Sequence, residues 1–353
     1  MSERFKRIAV ALVAIVVIGV VPVIALAASG SNGIGARPPA GSHGPKKTPV
    51  PTTAPTVLPT LTPTLPPTAP PTAPPTVPPS LPPSPPPPAV LVGAGDIASC
   101  SSTGDEATAA LLDTIGGTVF TLGDNVYDNG STSDFANCYG PSWGRSTIKS
   151  RTRPAPGNHD YNTGGAAGYF AYFGSAAGDP AKGYYAYDAG MWRVYVLNSN
   201  CSVVSCAAGS VQEQWLRSDL AANPRSCVVA TWHHARFSSG SNHGSVTATQ
   251  ALWQALYDFN AELVMSGHEH NYERFAPQTA TGTADNARGL VEFVVGTGGA
   301  SHYGFGTPIA NSVIRDGTTY GVLRLSLSAN SWSSLFIPVT GATFTDSSTG
   351  TCH

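Results

Sequence analysis

A surplus of positive charge is what this chain most clearly lacks. Of 353 residues, 19 are Lys or Arg and 21 are Asp or Glu. Residues 1–89 hold six of the basic residues and one of the acidic ones, which leaves 13 basic against 20 acidic residues beyond them. Such a balance provides no basic face to neutralise a phosphate backbone, and it excludes nucleic-acid binding by electrostatic contact. Any affinity for anions must come from something local. Cysteine is sparse as well: the six cysteines, at 100, 138, 201, 206, 227 and 352, include no Cys-X-X-Cys pair. That removes the usual thiolate clip for a structural metal. Proline is scarce in the larger, second part of the chain, because 22 of the 31 prolines fall in 38–88.

The chain begins with a basic start, MSERFKR, followed by Ile8–Ala28, which is apolar apart from Gly19 and Pro22. With the small residues of ALAASG at its end, residues 1–28 read as a secretory signal peptide. At roughly 20 residues the run is also long enough to span a bilayer as an uncleaved anchor. Both readings imply export, either into the medium or to the cell surface with a membrane or envelope attachment. Residues 29–88 are a Pro/Thr-rich linker with repeats such as PPTAPPTVPPS. Its prolines exclude helix and sheet and favour polyproline II, which would reach on the order of 150 Å when extended. It is read as a tether or stalk, with threonines open to O-glycosylation. An even number of cysteines in an exported chain predicts disulfides. Fifteen pairings are possible, and only Cys201–Cys206, closing CSVVSC, is local.

Residues 89–353 read as one α/β domain. The β-branched runs AVLVGAG, GTVFTLG, WRVYVLN, CVVATW, AELVMSG, VEFVVGTGG and YGVLRLSLS predict strands. Between them, TGDEATAALLDTIG carries acids in its first turn and Thr103 or Ser102 as N-cap. VQEQWLRSDLAAN and TATQALWQALYDF repeat apolar residues at three and four, with Trp215 and Leu216 as core contacts. Strands alternating with helices predict a sheet with helices packed outside. The stretch KGYYAYDAGMWRVYVLN predicts a hairpin, as does the tail YGVLRLSLSANSWSSLFIP.

The residues just past the strand ends carry the most information. VLVGAGD ends in Asp96, and VFTLGDNVY supplies Asp124 and Tyr127. RPAPGNHD presents Asn158, His159 and Asp160; VVATWHH ends in His233 and His234; LVMSGHEH ends in His268 and His270. Ligand sites in such sheets lie outside the carboxyl ends of the strands. Each segment alone has an ordinary explanation, since an Asp after Gly is commonly a turn residue. Five segments delivering oxygen and nitrogen donors in this order point to a metal site. Hard oxygen and imidazole donors suit Fe, Zn or Mn. No Ser or Cys stands in a recognisable nucleophile triad.

These motifs, GD at Asp96, GDNVY, GNHD, WHHARFSSG and GHEHNYER, resemble those of the calcineurin-like metallophosphoesterases, most closely the purple acid phosphatases. The resemblance implies a four-layer α/β (α+β) sandwich of two mixed β-sheets flanked by helices. It places Asp96, Tyr127 and His270 on one metal ion and Asn158, His233 and His268 on a second, with Asp124 bridging. Tyr127 as a phenolate implies Fe(III) in the first position, with Fe, Zn or Mn in the other. The implied reaction is hydrolysis of a phosphate monoester by a hydroxide that the two ions activate. A phosphodiester or nucleotide substrate is the alternative, and a non-enzymatic stalked surface protein stands further off. His159 matches the histidine that contacts phosphate and protonates the leaving group, with Asp160 orienting it. His243 resembles a second substrate-binding histidine, and His234 is expected at the rim. The plant enzymes' extra N-terminal β domain has no counterpart in this reading; the stalk takes its place.

Three positions depart from the family pattern. Ala98 stands where Gly is common and is expected to narrow access near Asp96. Ala235 replaces a common Pro and is expected to loosen the loop after His233. GNHD replaces the GNHE usual in purple acid phosphatases, although it is usual in the wider superfamily.

Overall fold

Each β-branched run of the sequence forms a strand, and together the strands build two sheets. The computed structural model describes residues 87–353. The expected signal or anchor segment and the linker up to residue 86 lie outside the described residues. In chain order the strands are β1 (Ala89–Ala94), β2 (Thr118–Thr121), β3 (Thr152–Arg153), β4 (Tyr185–Ala189), β5 (Trp192–Val196), β6 (Val228–His234), β7 (Leu263–Gly267), β8 (Tyr272–Phe275), β9 (Val291–Val295), β10 (Ser312–Asp316), β11 (Gly321–Leu327), β12 (Ser331–Pro338) and β13 (Ser347–Thr351). The helices are α1 (Gly104–Thr114), α2 (Thr132–Asp134), α3 (Ser146–Lys149), α4 (Ala167–Phe173), α5 (Val211–Ala222) and α6 (Gln250–Asp258).

One sheet has the order β13-β12-β11-β1-β2-β3 and the other β10-β8-β9-β7-β6-β5-β4. Both are mixed. β1 runs parallel to β2 and antiparallel to β11; β6 runs parallel to β5 and β7, while β4 and β8 pair antiparallel with their neighbours. Two mixed sheets with helices on them are the architecture the motifs imply, and both expected hairpins, β4–β5 and β11–β12, are formed.

The two-residue period of a strand explains the layering. On β7, Leu263 and Met265 join the larger apolar core, while Val264 between them packs into a second core with Leu216, Leu220, Trp253 and Leu256 of α5 and α6. β9 repeats this, with Phe293 and Val295 in the first core and Val294 in the second. Strands covered on both faces read as continuous apolar runs. Leu216 is fully buried and Trp215 partly so, packed against that second core. Ser210 caps α5, its hydroxyl accepting the amide of Glu213 at 3.3 Å. At α1 Thr103 makes no side-chain cap bond, whereas Ser102 Oγ accepts the amide of Gly104 two residues on at 3.1 Å, as a capping side chain does, and donates to the carbonyl of Gly299.

The six cysteines form three disulfides: the expected Cys201–Cys206, and also Cys100–Cys138 and Cys227–Cys352. Cys227 and Cys352 lie 125 residues apart in sequence, against 5 for Cys201 and Cys206. Cross-links across longer loops restrict the unfolded chain more, so replacing both members of the long pair by Ser should cost about 4 to 5 kcal/mol, against about 2 for the short one. Urea unfolding of the two double variants checks this; equal losses would contradict it. Among the described residues, no helix is long and apolar enough to cross a membrane.

Candidate metal centre

β1, β2 and β3 deliver Asp96, Asp124 with Tyr127, and Asn158 from one sheet; β6 and β7 deliver His233, His268 and His270 from the other. The chain turns sharply at these strand ends. Asp96, Asp124 and His268 have φ values of 57°, 45° and 71°, a left-handed conformation that side chains rarely adopt and that costs roughly 1 to 3 kcal/mol each. Three strained positions among the candidate ligands are what a site held in place by its surroundings requires. Two motif glycines make the turns possible. Gly123 sits at φ +83°, and a Cβ there would lie 2.6 Å from His233 Nδ1; at Gly157 it would lie 2.1 Å from the amide nitrogen of Asp124.

The donor atoms form two groups. In one, Tyr127 Oη lies 3.0 Å from Asp96 Oδ1, 3.1 Å from Asp124 Oδ2 and 3.0 Å from His270 Nε2. In the other, His233 Nε2 lies 3.0 Å from Asn158 Oδ1, 3.1 Å from His268 Nδ1 and 3.3 Å from Asp124 Oδ2. One carboxylate oxygen of Asp124 thus touches both groups. His233 Nδ1 meets the carbonyl of Leu122 at 2.7 Å, and His270 Nδ1 meets that of Ser301 at 2.5 Å. These carbonyls accept, so Nδ1 carries the hydrogen and Nε2 turns its lone pair inward in each neutral ring.

This donor set fits a pair of cations better than it fits itself. Asn158 Oδ1 and the Nε2 of a neutral His233 are both acceptors, so either a proton taken up by His233 or a cation must lie between them, and the single Tyr127 hydroxyl proton faces three acceptors. Without a metal the strain appears in the proton affinities. Asp96 is pushed up to about 7, first by burial and then by Asp124, against the pull of His233. Asp124 is held below the ordinary carboxylate range: burial opposes its charge, and His233 and His159 outweigh burial. His233 is pushed up to about 9, because the neighbouring carboxylates override the effect of burial. Burial, with His233 alongside, keeps His268 neutral, and burial lowers His270 to about 4. Burial and both carboxylates hold the Tyr127 phenol well above its usual range. Positive charge at this point would relieve every carboxylate and phenol involved.

The remaining expected residues are distributed around these groups. His159 Nε2 is 3.9 Å from Asp124 Oδ2, and its amide donates to Asp124 Oδ1 at 2.8 Å. Its orientation differs from expectation: Nδ1 meets the carbonyl of Asp128 at 2.7 Å and makes no bond to Asp160. Asp160 is buried beneath the GNHD turn instead, accepting the amides of Gly157 and Asn125 and the Asn125 side chain, 2.8 to 3.3 Å away. Adjacent residues in that turn point apart, so Asp160 shapes the turn rather than the imidazole. His243 is exposed, with its ring stacked on that of His268 at 4.0 Å. His234 bonds Ser199 Oγ through Nδ1 at 2.9 Å and lies beside His268 at the rim. Ala98 does not narrow the site: it is fully buried, and its backbone pairs with Asn125 and Tyr127.

Sequence reasoning missed Tyr303, whose ring stacks on His270 at 3.9 Å and 10°. It lies beyond β9, another strand of the same sheet, so the strand-end rule had reached its neighbourhood. Ser199, which receives the amides of both His233 and His234 on its hydroxyl, carried no signal of its own.

Residues 88–272, just over half of the chain, match the calcineurin-like phosphoesterase family. An uncharacterised protein of Mycobacterium tuberculosis is 31% identical over 185 residues, covering 42% of this chain and 35% of its own. Purple acid phosphatase 15 of Arabidopsis thaliana is 27% identical over 181 residues, covering 42% and 33%. The chain thus spans about a third of the length of these curated relatives. Among solved structures, a purple acid phosphatase from yellow lupin seeds superposes with a TM-score of 0.62 at 20% identity, covering 74% of this chain and 53% of that one. That superposition establishes a shared fold. With five strand-end motifs inside the matched region and their donor atoms gathered at one point, the chain belongs to the calcineurin-like phosphoesterase family.

Proposed function

We propose that this chain is an exported phosphatase that hydrolyses phosphate monoesters at a dinuclear metal centre. The observation that carries this reading is Asp124 Oδ2, placed 3.1 Å from Tyr127 Oη and 3.3 Å from His233 Nε2, between two complete donor groups. Asp96, Tyr127 and His270 would hold one ion, Asn158, His233 and His268 the other, and Asp124 both. When bound, such a pair supplies an acidified water and positive charge opposite the reacting phosphoryl group. A tyrosine oxygen grouped with two carboxylates and one imidazole is a hard donor set, which favours Fe(III) there with Fe, Zn or Mn in the second position.

The chain's own residues account for the rest. His159, about a third exposed, faces the site with its ring fixed by the Asp128 carbonyl, where it would give a proton to the departing oxygen. Beside it lies a cavity of about 420 Å³ whose lining includes Tyr127, Asp128, His159, His270, Ser301 and Tyr303, with no Lys or Arg among its lining residues. It suits the alcohol portion of a monoester and offers no charge partner for further phosphates. His243 stands over His268, in position to bond a phosphate oxygen. Three disulfides and the apolar N-terminal run support an oxidising location outside the cytoplasm.

The test is hydrolysis by the purified chain. p-Nitrophenyl phosphate should turn over about tenfold or more faster than its bis ester, and chelation should remove the activity until Fe, Zn or Mn is returned. The reverse order would assign the site to diesters; no hydrolysis of either would end the reading.

A further inference from the structure

The loop from Ala235 to Val246, which carries His243, bears glycine and serine at most of its turns and lacks the proline expected at its start. It is nevertheless bound to the sheet beneath it. Its base is closed by the Val246 amide donating to the Ala235 carbonyl at 2.9 Å. Between those ends, five backbone amides donate to three fully buried glutamates. Arg236 and Phe237 donate to Glu292 at 3.0 and 2.9 Å, Ser239 donates to Glu273 at 2.7 Å, and His243 and Gly244 both donate to Glu269 Oε1 at 2.5 Å. Carboxylates accepting backbone amides make the stronger class of hydrogen bond. The fit at the far end is close: a Cβ on Gly240 would lie 2.1 Å from Glu269 Cδ. The loosening expected from Ala235 is therefore replaced by anchorage from below.

We infer that Glu269 is a positioning residue that acts through His243: by gripping the His243 and Gly244 amides it fixes the imidazole over His268, where it meets the substrate phosphate. Glu269 itself touches neither candidate donor group by side chain. It lies between His268 and His270 in sequence, so one short segment would both supply two ligands and set the height of a substrate-binding histidine above them. The chemical part of this inference rests on the phosphatase reading; the anchorage does not.

The experiment is a double-mutant cycle on the full chain with its metals bound. Glu269→Ala and His243→Ala should each lower kcat/KM about 10- to 100-fold, the scale of an ångström-sized misplacement, with metal content unchanged and KM raised. The double variant should be no worse than His243→Ala by more than about twofold, because the two act as one unit. Glu269→Gln, which keeps an acceptor, should recover most of the loss. Gly240→Ala, which crowds the carboxylate, should reproduce the Glu269→Ala phenotype where that variant folds poorly. Losses that multiply in the double variant, or an unaltered kcat/KM in Glu269→Ala, would overturn the inference. Hydrogen exchange supplies a readout independent of activity: the His243 and Gly244 amides should exchange at least about tenfold faster in Glu269→Ala. Unchanged exchange would overturn the anchorage even in a chain that hydrolyses nothing, whereas faster exchange in Glu269→Ala beside a wild type that hydrolyses nothing would leave the anchorage standing and remove only the phosphatase reading.

Discussion

Asp124→Ala should yield a chain that neither retains a metal pair nor hydrolyses phosphate esters, with kcat/KM lower by at least about a thousandfold. The size of the effect reflects how many contacts pass through one carboxylate. Oδ2 lies between the two donor groups, and Oδ1 receives the His159 amide at 2.8 Å. On the proposed reading, truncation would remove a ligand from both ions at once and release the backbone that presents His159. It also strips buried His233 of the charge that raises its proton affinity. Asp124→Asn keeps the shape and should still lose metal, because the neutral amide no longer offsets two cations. Elemental analysis and steady-state kinetics on both variants check this; a variant with wild-type rate would refute the shared role.

His159→Ala should behave in the opposite way, keeping its metals and losing rate selectively. The ring lies 3.9 Å from the nearest Asp124 oxygen and packs on the Tyr127 ring, centroids 4.5 Å apart, without a hydrogen bond to any candidate ligand. A residue that protonates the leaving oxygen matters most when that oxygen is basic. Alkyl phosphates should therefore slow by about 10² to 10⁴, while p-nitrophenyl phosphate, whose phenolate leaves unaided, should slow far less. An equal loss across leaving groups would assign His159 to phosphate binding alone.

The parts of this fold legible in the sequence were those in which one local pattern had one physical cause. β7 and β9 read as apolar runs because helices and the opposing sheet cover both their faces. The strand-end donors were legible because a parallel strand must deliver its next residues to one edge. Other features left no local trace. β13, with the sequence SSTGT, has no apolar alternation, since it is an edge strand held by pairing with β12. Cys100–Cys138 and Cys227–Cys352 depend on which loops the fold brings together. The Asp128 carbonyl, not the expected Asp160 carboxylate, meets the His159 ring, because a tight turn sends neighbouring side chains in different directions. Glu269, Glu273 and Glu292 carried no signal of their own in the sequence; only the folded loop shows that their carboxylates receive its amides.

Whether three strands of one sheet and two of the other hold a pair of ions between them is most directly tested by counting metal in the purified chain. Elemental analysis should find two equivalents per chain, falling below one in Asp124→Ala, and a visible phenolate-to-iron absorption should disappear in Tyr127→Phe. A wild-type chain that binds one equivalent or none when Fe, Zn and Mn are supplied, or an Asp124→Ala variant that still binds two, would contradict the shared centre.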